Sequence, residues 1–206
     1  MNLLTFFKRL SFIFMTTNNK NSNSLFIISG PSGAGEDSII NGLEKIMPIE
    51  RVTTTTTREM RAGESEDNPY YFISKEEFKK KIEENGFFEY ALQYNDNLYG
   101  VTFEEIERVR NSGKVGIWKI EYKGVMTAKK LIPGITTIFI NAPLDELEER
   151  IRRRDNVSDE YIQERMKYTK EWLKHKDIYD YEIMNSNGKL EESIQRAAEI
   201  IKSHTS

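Results

Sequence analysis

The chain has 206 residues, 30 Lys+Arg against 33 Asp+Glu, a formal charge of −3 and a pI of about 5.7. That length suits one domain with room for a small inserted lobe, and the charge leaves phosphate contacts to local basic clusters and argues against a nucleic-acid partner. With no cysteine and two distant histidines, His175 and His204, disulfides, thiolate zinc sites, cysteine nucleophiles and a histidine metal pair are excluded, and a cytoplasmic, reducing compartment is expected.

Residues 1–23 read as an extension and linker with no reason to fold. Met1 to Met15 is apolar but broken by Lys8 and Arg9, too short to span a bilayer, and without the charge order of a secretory signal. A membrane role is not expected. The folded part should run over 24–203. Leu25 to Ile28 predicts a buried strand, Gly30 to Gly35 a glycine-rich loop, and Ile39, Ile40, Leu43 and Ile46 a helix that Pro48 ends. Arg51 to Thr57 reads as one strand and Tyr70 to Phe72 as another. Ser74-x-x-Glu77 is a capping box opening a helix over 75–85 that Gly86 closes. Phe87 to Leu92 and Leu98 to Val101 flank the turn signal Asn95-Asp96-Asn97. Thr102-x-x-Glu105 is a second capping box, with Gly113 stopping its helix. Val115 to Ile120, Thr136 to Ile140 and Tyr181 to Met184 predict strands, among helices near 123–131, 144–154, 159–175 and 189–203. Alternating strands and helices argue for an α/β core with a parallel sheet; the stretch 51–103 reads as a small mixed sheet inserted into it.

Gly30-Pro31-Ser32-Gly33-Ala34-Gly35 has the strand–loop–helix context of a phosphate cradle, in which backbone N–H groups point inward and the helix N-terminus adds positive potential. The full motif continues with Lys and then Ser/Thr. Here Glu36 and Asp37 come first, followed by Ser38. Carboxylates in the lysine position oppose a triphosphate, and a plain turn followed by acids that suit a helix N-terminus explains the loop equally well. Arg58 and Arg61, three apart, can fork around one phosphate, with Tyr70 and Tyr99 as hydroxyl donors.

The loop, then Thr55-Thr56-Thr57-Arg58-x-x-Arg61-Ala62-Gly63-Glu64, Tyr70-x-Phe72, Glu89 and Tyr99-Gly100 together resemble guanylate kinase over roughly residues 24–203. The resemblance implies a P-loop nucleoside-monophosphate kinase fold: a core of 24–50 and 104–203, an acceptor lobe of about 51–103 and a helical lid of about 144–166. It implies phosphoryl transfer from ATP to GMP with Mg²⁺, in a monomer or homodimer. Gly30, Ser32, Gly33, Ala34, Gly35, Glu36, Asp37, Ser38 and Asn185 match ATP-binding positions. Thr54, Arg58, Arg61, Glu64, Tyr70, Glu89, Tyr99 and Glu121 match GMP-binding positions, Glu89 as the guanine reader. Arg150, Arg154 and Arg165 match the arginines that stabilise charge on the moving phosphoryl group; four arginines within 150–154 cannot share one helical face, so Arg152 and Arg153 are left to solvent.

Three positions depart from the family. Val101 replaces a hydroxyl residue. Glu36 replaces the loop lysine, and Lys119, with Glu121 two residues on, stands where the family has the first of two aspartates. This implies a relocated charge: Lys119 is expected to reach the nucleotide phosphates or to pair with Glu36, leaving Asp37 and Glu121, with Glu36, as oxygen ligands for Mg²⁺. Decay of the ATP site is the competing reading. Two other functions stay open: a kinase of another phosphorylated acceptor, and a guanylate kinase-like module that binds phosphate without chemistry.

Overall fold

The computed structural model describes residues 25–60, 63–66, 69–92, 96–155 and 158–205. In chain order the elements are β1 (Leu25–Ser29), α1 (Glu36–Glu44), β2 (Ile49–Arg51), β3 (Thr54–Thr56), β4 (Ser65–Glu66), β5 (Pro69–Phe72), α2 (Lys75–Glu83), β6 (Phe87–Leu92), β7 (Leu98–Thr102), α3 (Phe103–Asn111), β8 (Val115–Lys119), α4 (Tyr122–Leu131), β9 (Thr136–Asn141), α5 (Leu144–Asp155), α6 (Asp159–Leu173), a 3₁₀ turn at Lys176–Ile178, β10 (Tyr181–Met184) and α7 (Leu190–Thr205). They fall into two compact units, one of Leu25–Ile49 with the chain from Lys119 onward, the other running from Glu50 to Trp118.

In the first unit β10, β9 and β1 lie side by side and parallel, with Phe26 opposite Thr136 and Tyr181 opposite Ile138. Every residue of β1 and β9 is buried, as parallel strands covered on both faces must be. That is why the two read as short apolar runs without alternation. The step from β9 to β10 passes through α5 and α6, the long crossover that a parallel neighbour requires. Ile39, Ile40 and Leu43 give α1 its buried stripe. Gly42 on that stripe admits Ile194 of α7 so closely that a Cβ would overlap the isoleucine side chain. Tyr122, Phe139 and Trp172 form a second packed cluster, with Tyr168 and Tyr179 against it. Ile151, Ile162 and Met166 tie α5 to α6.

The second unit holds a mixed sheet in the order β4-β5-β3-β7-β6, parallel between β4, β5 and β3 and antiparallel among β3, β7 and β6. Three sequence expectations are corrected here, and a bulge adds a feature that no expectation covered. The single strand expected over Arg51 to Thr57 is two. Val52 N–H donates to Ile117 O at 2.9 Å and Thr53 N–H to Glu105 Oε1 at 2.6 Å, so the chain leaves one ladder before entering the next. That carboxylate also takes Arg108 at 2.8 and 2.9 Å, so Glu105 does not complete the second capping box: Thr102 Oγ1 accepts from Glu105 N–H and nothing among the described contacts returns. At the end of α2 the left-handed residue is Asn85 (φ 52°), not Gly86. Gly86 N–H reaches Lys81 O and Asn85 N–H reaches Ile82 O, the paired bonds of a Schellman ending. Finally, a bulge between Phe87 and Glu89 lets Phe87 and Tyr90, an odd number of residues apart, meet on one face (ring centroids 5.9 Å). Gly100 lies beneath them: a Cβ there would come within 2.8 Å of Tyr90 Cβ. The capping box at Ser74 is formed as the sequence predicts, with Glu77 N–H donating to Ser74 Oγ and Ser74 N–H to Glu77 Oε2.

Candidate active site

The glycine loop joins β1 to α1. Gly33 (φ 88°) and Gly35 (φ 94°) both need the left-handed region. A Cβ on Gly33 would stand 2.9 Å from Leu147 O, and one on Gly35 2.6 Å from Asn185 Nδ2. No side chain caps α1, so the first-turn N–H groups form an anion-attracting end. Ser32 is half-buried and Ser38 exposed.

Two expected ligand-binding residues brace this loop. Asn185 is buried and donates from Nδ2 to Ala34 O at 2.8 Å. Arg150 donates from Nη1 to Gly33 O at 3.1 Å and from Nη2 to Asn185 O at 2.8 Å, while Glu146 Oε2 and Asn187 Oδ1 accept from the same guanidinium. Glu146 and Asn187 were not among the residues singled out from sequence. The only signal for Glu146 was its i,i+4 spacing to Arg150.

The two acids after the loop have different surroundings. Lys119 Nζ donates to both oxygens of Asp37, at 2.7 and 2.8 Å, and its charge also acts on Glu36, the acid expected as its partner. Both side chains are open, 37% and 63% exposed, which puts the pair in the range of about 0–1 kcal/mol. Glu36 is less exposed, and burial pushes its carboxyl up to about 7, with the Lys119 charge pulling the other way. Ser29 Oγ donates to Ile120 O at 2.6 Å, which fixes the chain just beyond β8 beside the end of β1. Glu121 accepts from Tyr168 Oη at 2.8 Å, and burial together with that carboxylate raises the phenol. Asp37 and Glu121 are thus tied to Lys119 and Tyr168, and among the described residues no three acids or histidines group to hold a metal. Arg165 Nε donates to Tyr161 Oη at 3.0 Å, its guanidinium 5.4 Å from that ring. Arg154 lies in α5.

Of the expected acceptor residues, Thr54, Tyr70, Glu89 and Tyr99 share one face of the mixed sheet, whereas Glu121 belongs to the other unit. Thr54 is opposite Tyr70, Thr56 opposite Tyr99, and Glu89 opposite Val101. Because side chains alternate with period two, this register puts Thr54, Tyr70, Tyr99, Glu89 and Val101 on the same side. Arg58 Nη2 forks onto Glu64 at 2.8 and 3.0 Å and Nη1 donates to Glu59 O at 2.7 Å. Its guanidinium stands 5.3 Å from the Tyr70 ring and 5.4 Å from that of Phe72. Tyr70 and Tyr99 meet edge to face at 5.8 Å. Burial acts against the Arg58 charge, but the Glu64 carboxylate outweighs it and keeps the guanidinium charged. Glu64 therefore fixes Arg58 in place, a pairing that the sequence did not announce. Arg61 lies outside the described residues. Among the described residues no helix is long and apolar enough to cross a membrane.

The chain thus carries a glycine loop on a helix end and, in its other unit, an arginine held by a carboxylate beside two aromatic rings. Comparison with known proteins shows the family. The family model described as guanylate kinase matches residues 22–204. The guanylate kinase of Hydrogenovibrio crunogenus is 39% identical over 168 residues, covering 81% of this chain and 82% of that protein. That of Rickettsia felis is 36% identical over 184 residues, covering 88% and 94%. Among solved structures, a guanylate kinase from Anaplasma phagocytophilum superposes with a TM-score of 0.69 at 26% identity, over 89% of this chain and 86% of that one. The chain belongs to the guanylate kinase family.

Proposed function

We propose that this chain transfers the γ-phosphoryl group of ATP to GMP, giving ADP and GDP. The observation that carries the reading is the Arg58–Glu64 fork beside Tyr70 and Tyr99, on the sheet face that also bears Thr54 and Glu89. A monophosphate is a dianion that wants a guanidinium and hydroxyl donors, and Arg58 is already held charged and oriented, so little ordering is left for binding. Arg61 is the second arm of that clamp. Glu89, a carboxylate on a strand face, accepts from the N–H edge of guanine. With Val101 in place of a hydroxyl, base selection rests on Glu89 and Thr54.

For the donor, N–H groups of Gly33, Gly35 and the first turn of α1 receive the phosphates, while Ala34 N–H closes the turn onto Pro31 O at 3.0 Å and Arg150 and Asn185 hold the loop in that shape. Arg165 and Arg154 steady charge on the moving group. An oxygen of the GMP phosphate forms the new O–P bond as the bond to the bridging oxygen breaks, the electron pair leaving on the β-phosphate of ADP. The family implies a divalent ion with ATP. Asp37, at the position where the motif has its metal-binding hydroxyl, and Glu121 are the oxygen ligands this chain would offer a Mg²⁺ carried in by the nucleotide, each accepting here from Lys119 or Tyr168. Such an ion would supply positive charge to offset that of the phosphates.

The test is ADP release from ATP and Mg²⁺ with GMP, AMP, CMP or UMP supplied in turn. Turnover with GMP alone is expected. No turnover with any acceptor, together with no GMP binding by calorimetry, overturns the reading; GMP binding without turnover would instead make this a binding module.

A further inference from the structure

The phosphate loop carries a carboxylate at the position where its motif calls for a lysine. A triphosphate brings several negative charges, and uncharged N–H donors alone leave them poorly neutralised. We propose that Lys119, at the end of β8, is the phosphate-binding cation of this kinase, standing in for the missing loop lysine and stationed at the loop by Asp37. The proposal rests on the function inferred above and adds a residue to it.

Three observations support it. The first is position: Lys119 Nζ sits on the first turn of α1, 2.7 and 2.8 Å from the two Asp37 oxygens, directly after the glycine loop. The second is how it is held. The pair is exposed on both sides, 37% and 63%, so the ammonium stays in contact with water and its hold on Asp37 is weak. A polyphosphate, with more charge than one carboxylate, can draw it over. A lysine suits this: a compact point charge on a four-carbon stem with rotatable donors. The third is that Arg150, the arginine bonded to the loop, has other work: it braces Gly33 and Asn185. The Ser29 to Ile120 bond holds the base of Lys119 in place. The charge lost at position 36 is thus restored from a strand end 82 residues away from Asp37 in sequence.

The experiment compares wild type, Lys119→Ala and the double variant Glu36→Lys/Lys119→Ala in three measurements: turnover with ATP and GMP, calorimetric binding of inorganic tripolyphosphate, and calorimetric binding of GMP. For Lys119→Ala we expect kcat to fall by about 10²-fold or more and tripolyphosphate binding to weaken by about tenfold or more, with GMP affinity within about twofold of wild type as evidence of an intact fold. Glu36→Lys should return much of the lost turnover and tripolyphosphate affinity, because it puts the cation back in the loop. Wild-type turnover and tripolyphosphate affinity in Lys119→Ala would overturn the proposal. So would equal losses of tripolyphosphate and GMP binding with a lowered melting temperature, which would make the ion pair structural. Failure of the functional reading looks different: wild type would then lack GMP binding and turnover, and tripolyphosphate binding alone would still decide the role of Lys119.

Discussion

Glu36 and Asp37 are adjacent in sequence, but Asp37 lies open to water with both oxygens on a lysine while Glu36 is desolvated. A carboxyl raised to about 7 in the folded protein binds more protons there than in the unfolded chain. Stability should therefore fall as pH rises from about 4.5 to 7, the reverse of an ordinary paired acid. Glu36→Gln removes the effect: we expect it to flatten urea-unfolding stability across that window and to gain on the order of 2 kcal/mol at pH 8. An unchanged pH profile would contradict the desolvated state of Glu36. At the acceptor face, Arg58 is used for its planar fork, with two bonds to Glu64 and a place beside the paired rings of Tyr70 and Phe72. Lysine keeps the charge and loses the fork. Arg58→Lys should raise the KM for GMP by about tenfold or more and leave the KM for ATP close to wild type, as steady-state kinetics with each substrate varied would show.

Where elements begin and end, the sequence signals were of uneven value. The Ser74 box formed because both of its bonds span three residues and nothing else competes for Glu77. The same pattern at Thr102 half-failed because Glu105 is buried and is drawn to Thr53 N–H and Arg108. After α2, Asn85 takes the left-handed position and leaves Gly86 to make the closing bond. Asn tolerates that conformation better than most residues, at a cost of about 1–2 kcal/mol for a side chain with a Cβ and no local bond. Asn85→Ala should thus lower stability by roughly 1 kcal/mol, and Asn85→Gly should not, a contrast that chemical denaturation can read. The parallel strands of the first unit were legible as apolar runs because they are buried on both faces. The break between β2 and β3 was not, because Arg51 to Thr57 is a run of strand-favouring residues with no turn signal in it and only the different bonding partners of Val52 and Thr53 mark the break.

At the scale of the whole molecule, the proposed donor residues lie in the unit that contains the glycine loop, and most of the proposed acceptor residues lie in the unit that contains Arg58. Each ligand should therefore stabilise the protein without the other. At one hundred times its Kd a ligand adds about 2.7 kcal/mol, which for a chain of this size lifts Tm by roughly 5–10 °C. GMP alone and a non-hydrolysable ATP analogue alone should each give a shift of that order in a thermal melt; a nucleotide that gives none does not bind the free protein. The glycine loop, the Thr-Thr-Arg run and the order of strands and helices could be read from the chain itself, because periodicity, turn chemistry and short motifs are written within a few neighbouring residues. So could the family. Which acid Lys119 would choose, that Arg150 and Asn185 brace the loop, that Glu105 abandons its cap, and which face Phe87 and Tyr90 share were decided only by tertiary structure. Each is a competition among several chemically similar partners far apart in sequence, and it is settled by where the strand ends, the bulge and the helix starts place the side chains, to within the few ångströms over which hydrogen bonds and ion pairs act.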